Sequence, residues 1–142
     1  MLVIASALSI PDPRLRPPGQ EAQADIAQAP WRDQKSDFAG LLRLWIAYQD
    51  QHRSEGASAT RRWCTARFLS NARMREWFEV HRQLRDTVRE VFEVKVPALP
   101  TSGLSDGRWG AMHRSVLAGL VSNIGRFTGE RTYDMVTGAQ FQ

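Results

Sequence analysis

The clearest periodic stretch opens near Ser36. Phe38, Leu41, Leu42, Trp45, Tyr48 and Gln49 fall three and four residues apart, which predicts an amphipathic helix capped by Ser36 or Asp33 and running to about His52. A loop from Ser54 to Ser58, centred on Gly56, is expected next. A longer helix is then predicted over about residues 59–93, with the stripe Met74, Trp77, His81, Leu84, Val88 and Val91, widened by Phe78 and Phe92. In its first part the stripe is Trp63, Arg67 with Phe68, and Ser70, with arginines on both flanks. His81 lies inside the apolar stripe, so it reads as a core histidine rather than a ligand or base.

The flanks are less regular. Residues 2–8 read as the end of a buried helix, stopped by Ile10 because Pro11, Pro13, Pro17 and Pro18 follow. Residues 11–19 are then a rigid connector, and a short polar helix over 20–28 ends at Pro30. Pro97, Pro100, Gly103 and Gly107 mark a loop and a boundary. A last helix over 109–123 carries Met112, Val116, Leu117, Leu120 and Ile124 on one face, and β-type residues over 132–142 surround a turn at Thr137-Gly138. The expected fold is mainly α: a helical bundle over 1–99, then 100–142 as a connecting loop, a helix and the first strands of a β domain. One or two strands make no stable sheet alone, so the chain reads as a piece of something larger.

Charge sharpens this picture locally. Lys and Arg exceed Asp and Glu by 19 to 15, and all but Lys35 and Lys95 are arginine. The guanidinium fork suits bidentate phosphate contacts. Arg53, Arg61, Arg62, Arg67, Arg73 and Arg75 face a single acid, Glu55, over that span. Such a run is either a solvated face, a set of partners for acids elsewhere in the fold, or a surface for a polyanion. Trp63 is read as core, with base stacking as the alternative. The lone Cys64 excludes an internal disulfide and fits a buried thiol in a reducing, cytoplasmic setting. The apolar start, with Ala5-Ser6-Ala7, imitates a signal sequence but has no preceding Lys or Arg and is too short. No run approaches the roughly 18 apolar residues of a membrane span.

Catalytic patterns are missing from the sequence. Neither lysine follows a glycine, so there is no phosphate-cradling P-loop; His52, His81 and His113 are too far apart for a zinc-hydrolase helix. There is no G-x-S-x-G elbow, and Glu76 with Glu79 reads as a solvated helix edge. No catalytic, cofactor-binding or metal-binding residue is assigned.

Several segments resemble, in order, the region following the motor core of DEAH-box RNA helicases. They are SALSIPDPRLRP (Ser6–Pro17), DQKSDFAGLLRLW (Asp33–Trp45), FLSNARMREWFEVHRQL (Phe68–Leu84), SVLAGLVSNIG (Ser115–Gly125) and YDMVTGAQF (Tyr133–Phe141). The wording is most similar to the bacterial HrpA-like branch. The resemblance implies a helicase-associated, or ratchet, domain followed by the truncated start of an oligonucleotide-binding (OB) fold β-barrel. It implies RecA-like domains that use ATP and magnesium, absent from this chain, and single-stranded RNA as partner, in a monomer with no membrane contact. It also implies RNA contact through Arg61, Arg62, Arg67, Asn71 and Arg73. The competing expectation is a stand-alone helical protein-interaction module.

Overall fold

The computed structural model describes residues 1–97, 106–129 and 132–141. They divide into two units, Leu2–Gly103 and Leu104–Gln142. The observed order, five α-helices and then a small antiparallel sheet, agrees with a helical bundle followed by the start of a β domain.

The first unit is organised by a layer of rings between α3 (Asp37–Ala66) and α4 (Asn71–Phe92). Trp45 and Trp77 are fully buried and 5.0 Å apart by centroid, with Phe78 at 5.8 Å and His81 at 4.7 Å from Trp45. Such pairs add about 0.5–1.5 kcal/mol each beyond burial. The histidine therefore packs where the apolar stripe placed it. The Trp45 indole N–H is buried without a hydrogen-bond partner among the described residues. Trp77 donates to the Val3 carbonyl and to Ser6 Oγ, both at 3.0 Å, and so anchors α1 (Leu2–Leu8). The signal-like apolar start is thus a core helix, with Val3, Ile4 and Ala7 buried.

Two expectations about the long helices are corrected. The loop at Ser54–Ser58 is absent: α3 runs from Asp37 to Ala66 and is interrupted only at Gly56, with φ 76° and ψ −179°. Glycine alone adopts that conformation without strain, so one residue breaks the axis where a loop was expected. Thr60 Oγ1 donates to the Gly56 carbonyl at 2.7 Å and fixes the bend. Conversely, the single helix predicted over 59–93 is two helices, because residues 67–70 form a turn with Phe68 at φ 53°.

The proline connector causes that turn. Arg14 and Leu69 form an antiparallel bridge, with Leu15 N–H donating to the Phe68 carbonyl and Ser70 N–H to the Pro13 carbonyl, each at 2.8 Å. Gln28, on α2 (Glu21–Gln28), donates to the carbonyls of Leu15 and Phe68, both at 3.0 Å. Ser70 then caps α4 by accepting from Arg73 N–H at 3.4 Å, and Ser36 caps α3 by accepting from Ala39 N–H at 3.2 Å. Helical periodicity alone does not register a turn stabilised by a segment more than fifty residues away.

The second unit contains α5 (Asp106–Gly119), a 3₁₀ turn at Val121–Asn123, and strands β1 (Gly125–Gly129), β2 (Thr132–Met135) and β3 (Gln140–Phe141) in the order β1-β2-β3. The turn into β3 has Gly138 at φ 84°, as the Thr137-Gly138 pair predicted. Strand β1 was not anticipated, since glycines at both its ends hide the alternation. On α5, Met112 and Val116 are buried, whereas Leu117 and Leu120 are exposed. The predicted loop through Pro100 and Gly103 lies largely outside the described residues.

Candidate nucleic-acid interface

Apart from Arg53, which lies before the Gly56 break and pairs with Asp50 at 3.6 Å, the basic run occupies the last turns of α3, the 67–70 turn and the first turns of α4. The connector's hydrogen bonds hold that turn, and among the described residues only Arg73 of the run bonds to the connector itself. Arg61 and Arg62 are exposed on the final turns of α3. Arg67 closes the helix with its guanidinium 4.7 Å from the centroid of the Trp63 ring. Arg73 donates to the Asp12 carbonyl at 2.8 Å, tying α4 to the connector. Asn71 is half-buried at the start of α4, and Arg75 is exposed one turn further on.

Among the described residues, no carboxylate forms an ion pair with Arg61, Arg62, Arg67, Arg73 or Arg75. The reading in which these arginines serve acids elsewhere in the fold is therefore not the arrangement found. The first turn of α4 carries no acid either. Other arginines of the unit are engaged: Arg14 with Asp12 and Asp37, Arg16 and Arg32 with Asp25, and Arg43 with Asp33.

Two of the five residues expected to contact RNA line one groove. Arg61 and Asn71 line a groove of about 1100 Å³ together with Tyr48, His52, Arg75 and Phe78. Arg62, Arg67 and Arg73 are not among its lining residues. Arg67 and Arg73 both have local structural partners, on Trp63 and on the Asp12 backbone. Arg75 belongs to the basic run already read as a possible polyanion surface, whereas His52 was not singled out as a contact. His52 carried no local signal because α3 was expected to end there.

Trp63 is half-buried at the edge of the core: it packs against buried Trp31 at 5.5 Å, and Arg67 covers its ring. Cys64 is buried and its thiol is pushed up to about 11 by that burial, which leaves it a poor nucleophile. No group of three or more His, Cys, Asp or Glu among the described residues could hold a metal ion. No described helix is long and apolar enough to cross a membrane.

No family model matches the chain. Over 131 residues, 92% of its length, it is 37% identical to the ATP-dependent RNA helicase HrpA homolog of Haemophilus influenzae. Over 124 residues, 87% of its length, it is 33% identical to the ATP-dependent RNA helicase HrpA of Escherichia coli. The chain spans about a tenth of each relative, 10% and 9% respectively. The resemblance first read from short motifs thus extends over nearly the whole chain: it is homologous to a segment of HrpA-type helicases.

Proposed function

We propose that the chain is an RNA-contacting segment of an HrpA-like, ATP-dependent RNA helicase, in which RecA-like domains elsewhere on a longer polypeptide bind ATP and magnesium and drive unwinding. The observation that carries this reading is the set of arginines around the 67–70 turn that have no carboxylate partner among the described residues, Arg61, Arg62 and Arg75 being exposed. Unpaired guanidiniums on a rigid turn are available to phosphates, and they need not first break an internal ion pair. The helical unit would act as a fixed wall of the strand's path, against which the motor domains cycle. The meander of β1, β2 and β3 would begin an OB-fold barrel that closes the path, in a cytoplasmic monomer.

Titration of the chain with a labelled single-stranded oligouridylate at several salt concentrations tests the RNA part. Each phosphate contact contributes about −0.7 to the slope of log affinity against log salt. Reversing Arg61, Arg62 and Arg75 together to Glu is expected to weaken binding on the order of 100-fold and to flatten the slope. Unchanged affinity in the triple variant would refute the assignment.

A second reading, a helical protein-interaction module, is favoured by a different feature. Val91, Phe92 and Val94, at the end of α4 and just beyond it, are 65%, 66% and 49% exposed. Under that reading RNA binding would be weak, and Phe92→Ser would abolish association with a protein partner while leaving RNA affinity unaltered.

A further inference from the structure

Resting on the RNA-contacting reading above, we infer that the groove between the two halves of α3 and the start of α4 is a nucleotide pocket. It takes one unpaired base of the strand against His52 and Phe78, with neighbouring phosphates held by Arg61 and Arg75.

Three stretches of chain converge there. Tyr48 and His52 come from α3 before its break, Arg61 from α3 after it, and Asn71, Arg75 and Phe78 from α4. The Gly56 bend is what lets the later part of α3 turn Arg61 toward the same opening as His52. The floor is aromatic. Buried Tyr48 lies parallel to the His52 ring, at 4° and 6.2 Å, and His52 is 6.4 Å from Phe78. Phe78 in turn stacks on buried Trp45 at 20°. The exposed imidazole is therefore the outermost ring of a ladder rooted in the core, a preorganised face for stacking.

The rim supplies the charges a nucleotide needs. Arg61 and Arg75 have no carboxylate partner among the described residues. Of the two acids on the lining, Glu79 is held by Arg82 at 3.0 Å, which leaves Glu76 as the lone acid against two free cations. Asn71 adds an amide able both to donate to and to accept from a base edge or sugar hydroxyl. A volume of about 1100 Å³ accommodates a base with its ribose. An acidic peptide could satisfy the two arginines, but it would leave the aromatic floor unused.

The test uses the full chain and a single-stranded oligonucleotide carrying one fluorescent purine analogue whose emission is quenched on stacking. Wild type is expected to quench it. His52→Ala is expected to remove the quench and to weaken binding about tenfold, while His52→Phe restores both. Arg61→Ala and Arg75→Ala are each expected to reduce the salt slope by about 0.7. His52 and Arg61 are exposed, so thermal melts of these variants should match wild type. If His52→Ala quenches normally while Arg62→Ala weakens binding, the strand runs outside the groove; the pocket is then wrong and the RNA-contacting reading stands. Displacement of the RNA by polyglutamate as readily as by unlabelled oligouridylate would also overturn the pocket. Failure of wild type to bind RNA at any salt would overturn both.

Discussion

Two groups of arginines in the same helical unit have opposite fates. Arg14, Arg16, Arg32 and Arg43, on or beside the connector and the starts of α2 and α3, each meet an aspartate at 2.6–3.0 Å. Arg61, Arg62 and Arg75, around the 67–70 turn, meet none among the described residues. The first group joins chain segments. Arg14 bridges Asp12 of the connector to Asp37 at the start of α3, and both carboxylates raise its pKa. The second group adds nothing to internal pairing and leaves positive charge on a rigid surface. Arginine count is thus a poor guide to polyanion binding; the position of the nearest aspartate decides it.

Matched reversals break this comparison most sharply. Arg14→Glu would put a third acid beside Asp12 and Asp37 and is expected to cost about 2–3 kcal/mol in urea unfolding, partial exposure keeping it below a fully buried pair. Arg62→Glu is expected to change stability by no more than about 0.5 kcal/mol while weakening RNA binding. Equal destabilisation by the two would erase the distinction between them.

Gly56→Ala probes how the second group is aimed. A Cβ at that position meets nothing within 4 Å, so the cost is backbone strain alone, about 1–3 kcal/mol. If the variant instead escapes by straightening α3, RNA affinity should fall more than Arg61→Ala alone lowers it. Melting at wild-type temperature with unchanged affinity would show that the bend is unimportant.

The smallest effect is one of pH. Burial, with Arg85 adding like charge, holds His81 below its ordinary value of 6.5. Between 6.5 and that lower value the unfolded chain binds the proton that the folded one refuses. Stability should therefore fall as pH drops through this window, then level off below the folded value. His81→Phe should flatten that part of the curve, and a slope that persists would have to come from other groups.

Much of this was legible in the sequence for a simple reason. Spacings of three and four mark a buried helix face wherever that face packs against neighbours, and Trp45, Trp77 and His81 were found that way. Prolines forbid helix locally, so the connector was legible too, and the motif order pointed to the homologues before any fold was known. Only the tertiary structure decided where α3 bends and where α4 begins. The bend is a one-residue event at Gly56, and the turn depends on hydrogen bonds from Pro13, Leu15 and Gln28. It also decided which arginines stay unpaired and brought His52 beside Arg61 and Arg75, because partners distant along the chain select each other by position in space rather than by spacing in sequence.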